Sequence, residues 1–325
     1  MTRSPRSPRF TESQAVALLA ARFAAPRDPS VRLGIGDDAA ILSPPPGKLV
    51  WTVDACVEGT HFERSLLSLE DVGWKSFHAA ASDLAAMGAA PVAALSALEL
   101  PRGFSREELD ELARGQALGA RAARCPVVGG NMARAEKLAV TTTLLGRAYA
   151  PLTRAGAKPG EELWLVGEVG LAGAGFALLR ARARRRRTAA AERCILAWRR
   201  PVALLKRGPL LVGRASAAID VSDGLGGDLA HLGRESRVKV VIEAHALERA
   251  LAPELREVAD SLGKSALELA LSGGEDYALV AAGPSARRPR FAKRIGRVER
   301  GRGALLESVD GALRDLGAGF DHLAP

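Results

Sequence analysis

Five short motifs each put a carboxylate beside small residues at the edge of an apolar run. Asp38 follows the glycines of GIGDDAAIL, Asp54 closes WTVD, Asp83 sits in ASDLAAMG, Asp220 and Asp223 frame DVSDG, and Glu275 and Asp276 lie in SGGEDY. Any one of these would ordinarily be a helix cap or a turn aspartate. Five in one kind of context point to a shared use, because side chains at strand ends face clefts and small neighbours let a ligand approach the backbone. The chemistry of the set is that of a hard cation. The chain has five histidines and three isolated cysteines, Cys56, Cys125 and Cys194, so zinc spacing and a disulfide framework are both missing. Oxygen ligands alone suit Mg²⁺, which takes carboxylates, water and phosphate oxygens. Acids can then face a phosphate across interposed divalent ions.

Rival phosphate and nucleophile motifs fail on spacing. SLGKS contains GKS, but a P-loop needs a glycine at position 258, which is Val258. GLAGAG and GLGGDL lack the Rossmann spacing. DVSDGL is not GxSxG, so Ser222 has no case as an acylating serine.

The elements that must carry these motifs alternate in type. TESQ at Thr11 offers a capping box ahead of AVALLAARF, which predicts a helix. KLVWTVDACV (Lys48 to Val57) reads as a strand, Glu70 to Ala89 as a helix, Pro91 to Leu100 as a strand. SREELDELARGQALGARAA has helical spacing, and strands follow at VVGGN and KLAVTTTLLGRA. Prolines and glycines between Ala148 and Gly160 mark a break. The second half repeats the mixture: strands at EELWLVG, AAIDVSD and VKVVIEA, helices at AGFALLRAR and GLGGDLAHL. The expectation is an α/β (α+β) chain with a basic disordered tail over 1–10, one domain over 11–150 and a second over 151–325.

At 325 residues the chain suits two domains of ordinary size. Its formal charge of +9 raises the question of nucleic acid, but much of the excess lies in the tail and in Arg180 to Arg193, and aromatic residues make up only 4%. A stacking platform for bases needs aromatic faces among the basic residues. The arginine run reads as a solvated face. No run of about 18 apolar residues and no secretory leader is evident, so a soluble cytoplasmic protein that binds neither membrane nor nucleic acid is expected.

The motifs, in their order, resemble the thiamine-monophosphate kinase family of the aminoimidazole ribonucleotide synthetase-like superfamily. GIGDDAAIL, TVDACVEGTHF, VGWKSFHAAASDLAAMGAAPVAAL, VVGGN, RAGAKPGEEL, DVSDGLGGDLAHL and GGEDYAL carry the resemblance from about Thr11 to the closing GFDHL. It implies a two-domain fold, dimerisation through the N-terminal sheet, ATP as co-substrate with several Mg²⁺ ions, and conversion of thiamine phosphate to thiamine diphosphate. By the same resemblance Asp38, Thr52, Asp54, Asp83 and Asp220 match magnesium ligands and Asp223 a further metal position. Gly130 and Asn131 fall among nucleotide and metal contacts, Arg154 and Ser222 match ATP contacts, and His61, Glu275 and Phe320 match positions near the thiamine phosphate. The catalytic set expected is Asp38, Asp54, Asp83 and Asp220.

The sequence departs from the family pattern in places. Val53 replaces a hydroxyl residue, so only its backbone carbonyl could reach a metal. Ala113 stands where an aromatic often flanks adenine, Asn131 where Asp is common, and Leu323 replaces the last aromatic of the usual ending. Two alternatives bracket this reading: another ATP-using enzyme of the superfamily, and a noncatalytic basic nucleotide-binding protein. Selenophosphate synthesis would need a reactive cysteine near the N-terminus, and the first cysteine is Cys56.

Overall fold

The computed structural model describes residues 10–24, 28–181 and 188–317. Phe320 and Leu323, most of the expected basic tail and the centre of the arginine run lie outside the described residues. Contacts divide the chain into two compact units, one from the described parts of 1–45, 53–77 and 92–144, the other from those of 46–52, 78–91 and 145–325.

In the first stretch of chain, α1 (Glu12–Phe23) opens on the expected capping box: Thr11 accepts from the Gln14 amide at 3.3 Å, and the Gln14 side chain accepts from the Thr11 amide at 3.0 Å. The short strands β1 (Val31–Leu33) and β2 (Ile41–Leu42) pair antiparallel and bracket the GIGDD turn. Then come β3 (Lys48–Val57), α2 (Leu69–Ala86), β4 (Ala90–Leu100), α3 (Arg106–Ala123), β5 (Val127–Arg134) and β6 (Ala139–Ala148). Their strands form one sheet in the order β3-β6-β4-β5, with β4 and β5 parallel. Gly130 pairs with Ser96 across that parallel ladder, and a Cβ there would stand 1.9 Å from the Ser96 carbonyl oxygen, so no side chain fits. β3 is an edge strand whose alternate residues Leu49, Trp51 and Val53 are exposed, Trp51 to 71%.

The rest of the chain contributes β7 (Glu162–Val166), α4 (Leu171–Arg180), α5 (Ala189–Arg199), β8 (Ala217–Asp220), α6 (Leu225–Ser236), β9 (Lys239–Glu243), α7 (Ala244–Ala250), α8 (Pro253–Leu262) and α9 (Ala266–Ser272). Four strands complete it: β10 (Leu279–Gly283), β11 (Lys293–Glu299), β12 (Gly303–Glu307) and β13 (Leu313–Asp315). Seven of these strands make a mixed sheet in the order β13-β12-β9-β11-β7-β10-β8. Its middle strands are apolar on both sides, as a sheet covered on both faces requires. Leu163, Leu165 and Val280 pack with Ile219, Leu229 and Leu255 on one face. Trp164, Val166 and Leu279 pack with Leu211 and Ala218 on the other.

Two local readings acquire a physical reason. SLGKS is the junction of two helices: Gly263 ends α8 in the left-handed region at φ 64°, and Ser265 caps α9. The arginine run is not all solvated face, because its end forms the first turns of α5 and Arg193 pairs there with Glu168 at 2.7 Å and with Glu254.

Candidate active site

Strand β8 ends at Asp220, which is 4% exposed, and the chain then turns through Val221, Ser222 and Asp223 into α6. Burial first, and then the negative charge of Asp83, push the Asp220 carboxyl up to about 7, while the charge of Arg154 pulls the other way. Asp83 sits near the end of α2 and accepts a hydrogen bond from the Thr52 hydroxyl of β3. Thr52, Asp83, Asp220 and Arg154 are thus brought within one electrostatic neighbourhood of the second unit. Asp54 lies two residues beyond Thr52 on β3, so both point to one face of the strand, while Val53 points to the other and is exposed.

The turn after β8 is held by a residue that spacing did not single out. Asp228, in the first turn of α6, accepts from the amides of Ser222 at 3.0 Å and Asp223 at 3.2 Å through the same oxygen. Its carboxyl is pushed up to about 8 by burial and by the neighbouring Asp220 and Asp223. The available signal was an acid at the start of the helix expected after DVSDG.

The GGEDY motif lies against this turn. The Glu275 amide donates to the Ser222 carbonyl at 2.7 Å and the Tyr277 amide to the Val221 carbonyl at 2.9 Å. Glu275 and Tyr277 both have left-handed backbones, at φ 66° and 49°, a conformation that side-chain-bearing residues adopt only under local constraint. The Glu275 carboxylate accepts from the Trp198 indole at 2.6 Å. Asp276 turns the other way: its two oxygens accept from the amides of Gly170 at 2.5 Å and Ala172 at 2.9 Å, so it caps α4, whose own N-cap is a glycine. Loss of solvation pushes the Asp276 carboxyl up to about 7.

The remaining expected site residues belong to the first unit. Asp38 is exposed in the GIGDD turn, its amide donating to the Asp37 side chain at 2.8 Å. His61 follows β3, and its Nδ1 accepts from the Val57 amide at 3.1 Å. Gly130 and Asn131 stand opposite Ser96 and Ala97 in the β4–β5 ladder, with Asn131 exposed.

A threonine hydroxyl beside two aspartates is an all-oxygen donor set and fits a hard cation. Among the described residues no three His, Cys, Asp or Glu side chains gather closely enough to hold an ion unaided. The rest of such an ion's shell would come from water and phosphate, as Mg²⁺ prefers. Among the described residues no helix is long and apolar enough to cross a membrane.

The chain is similar to known proteins in sequence and in fold. A family model described as AIR synthase related protein, N-terminal domain, matches residues 36–148. A thiamine-monophosphate kinase of Aquifex aeolicus is 34% identical over 278 residues, covering 84% of this chain and 89% of the relative. The crystal structure of thiamine-monophosphate kinase from Stenotrophomonas maltophilia aligns with a TM-score of 0.81 at 31% identity, over 92% of this chain and 97% of that one. A solved structure of AaThiL complexed with AMPPCP and TMP aligns with a TM-score of 0.80 at 31% identity, over 98% of this chain and all of the other.

Proposed function

The chain belongs to the thiamine-monophosphate kinase family, and from that premise we infer that it transfers the terminal phosphoryl group of ATP to thiamine phosphate, giving thiamine diphosphate and ADP. The observation that carries the reading to this chain's own residues is the Thr52 hydroxyl donating to Asp83, whose negative charge also acts on the buried carboxyl of Asp220 at the end of β8.

The acceptor oxygen of a phosphate monoester is already ionised at neutral pH, so the reaction asks for no general base. Its barrier is the approach of two anions: like charges about 4 Å apart repel by about 4 kcal/mol per pair at an intermediate dielectric. In this reading Thr52, Asp54, Asp83, Asp220 and Asp223, with Asp38, Asn131 and the Val53 carbonyl, hold several Mg²⁺ ions. Magnesium bound there supplies charge neutralisation between the phosphates and stabilises charge on the transferred group.

The protein's own contributions follow from its chemistry. Arg154 pairs with polyphosphate oxygens, and Ser222, Gly130 and Asn131 border the nucleotide. Asp228 fixes the Ser222–Asp223 turn so that the acids keep their spacing. Glu275, held by Trp198, supplies negative charge to the thiamine cation, with His61 and Phe320 positioning the substrate. The transfer is direct and in line.

Two further properties belong to this reading. The molecule is a homodimer in which the exposed face of Leu49, Trp51 and Val53 is covered by a second copy, because an edge strand bearing three large apolar side chains is costly to leave wet. It works in the cytoplasm as an N-terminal domain over 11–150 and a C-terminal domain over 151–325. The deciding measurement is thiamine diphosphate formed from ATP and thiamine phosphate with and without Mg²⁺. Phosphorylation of thiamine itself, with thiamine phosphate inert, would sink the assignment.

A further inference from the structure

We propose that Ser236, at the far end of the helix that follows DVSDG, is a positioning residue that sets Arg154 for the nucleotide; this rests on the reading of Arg154 as an ATP contact. The Ser236 hydroxyl donates to the Arg154 carbonyl at 2.7 Å and accepts from the amides of Gly156 and Ala157, each at 3.1 Å. One donor and two acceptor positions are the full capacity of a serine hydroxyl, and all three go to one turn. Alanine there would leave a carbonyl and two amides to find other partners.

The turn has little room to re-form in another way. Gly156 sits at φ 129°, and a Cβ on it would lie 2.4 Å from the Ser216 carbonyl oxygen. Just before it, the Thr153 hydroxyl donates to the Ala155 carbonyl at 2.7 Å, and the Thr153 carbonyl accepts from the Ala218 amide of β8 at 2.9 Å. The turn is therefore tied at one side to the strand that ends in Asp220 and at the other to the last residue of the helix that begins beyond Gly224. Arg154 is exposed on this turn, between the Thr153 bond to Ala218 of β8 and the bonds that Ser236 of α6 makes, so its side chain leaves from a backbone fixed to both elements. A long side chain on an exposed turn keeps its place only while its backbone is fixed. Small misplacements of a phosphate-pairing group are costly, because the benefit of pre-positioning is lost.

The test is steady-state kinetics with ATP and thiamine phosphate varied separately, plus a thermal midpoint, for wild type, Ser236→Ala, Ser236→Thr, Arg154→Ala and the Ser236→Ala/Arg154→Ala double variant. The expected result is a KM for ATP raised roughly tenfold in Ser236→Ala, with the KM for thiamine phosphate within about twofold. Ser236→Thr, which keeps the hydroxyl, should recover most of the loss, and Ser236→Ala should add little once Arg154 is already alanine. Ser236→Cys, which keeps the volume and weakens the hydrogen bonds, serves if the alanine variant does not fold, and a selective rise in its KM for ATP supports the proposal. An unchanged KM for ATP in the Ser236 variants, or an equal rise for both substrates with a lowered midpoint, overturns it. An unchanged KM for ATP in Arg154→Ala overturns instead the underlying role of Arg154.

Discussion

The Trp198 indole nitrogen donates to Glu275 Oε2 at 2.6 Å, which ties the acid of GGEDY to a buried aromatic of α5. Trp198 also packs on Phe176 of α4, ring centroids 5.0 Å apart. Trp198→Phe keeps much of that packing and removes the donor. The expected outcome is a several-fold higher KM for thiamine phosphate with the KM for ATP little changed, and about 1.5–3 kcal/mol less stability, the usual worth of a hydrogen bond to a charged group. Kinetics and urea denaturation check both parts, and an unchanged KM for thiamine phosphate would count against a substrate role for Glu275.

Asp83→Asn separates a metal ligand from a structural residue. An amide oxygen can still accept from Thr52, and removing the Asp83 charge relieves the ionised form of Asp220. The metal-free variant should therefore melt no lower than wild type, while turnover falls by orders of magnitude and is recovered only in part by high Mg²⁺. Wild-type turnover would remove Asp83 from the ion-binding set.

Asp276 gives a pH signature. Its folded-state carboxyl is raised to about 7, so the folded protein holds this proton more tightly than the unfolded chain does. Its contribution to stability is fully present below the ordinary aspartate range near 4 and is lost as pH rises toward 7. The stability advantage of wild type over Asp276→Asn should shrink across that window. Urea denaturation of both proteins between pH 4.5 and 8 reads the difference, which cancels the titration of groups they share.

Gly130→Ala tests whether that glycine is fixed by the sheet as well as by any nucleotide. With the Ser96 carbonyl oxygen 1.9 Å from the added carbon, the strands must part. A loss of about 3 kcal/mol or more in stability is expected, at the upper end of overpacking costs. A melting curve in the absence of nucleotide decides it.

Trp51→Glu puts a charge in the middle of the exposed β3 face. Light scattering should find a dimer for wild type and a monomer for the variant. A wild-type protein that is active as a stable monomer would contradict the dimer.

Where local chemistry decides structure, the sequence was legible. The strand read as Lys48 to Val57 has those bounds in the fold, because its β-branched and alternating apolar residues leave little choice, and it continues three residues past Asp54. The capping box at Thr11 formed as its residue types require. By contrast, α5 was hidden behind an arginine run, and α7 is seven residues long, too short for a clear apolar period. The supports of the site were invisible for another reason. Trp198 to Glu275 and Asp276 to Gly170 join residues far apart in the chain, and no local pattern encodes such pairings.

The order of the large sheet bears on how the protein is made. Among the described residues, β8 joins that sheet only through β10, which is inserted between β7 and β8 from residues 279–283. During synthesis the strand ending in Asp220 therefore emerges with the Thr153 carbonyl to bond to but without its partner strand, and it waits for about sixty more residues before its ladder can close. Pairings so distant along the chain are slow to form, and unpaired apolar strands are the surfaces on which nascent chains aggregate. Release of this half from the ribosome before residue 283 would leave Asp220 on an open strand, so chains stopped between α6 and β10 should be bound by chaperones while chains extended past β10 are not.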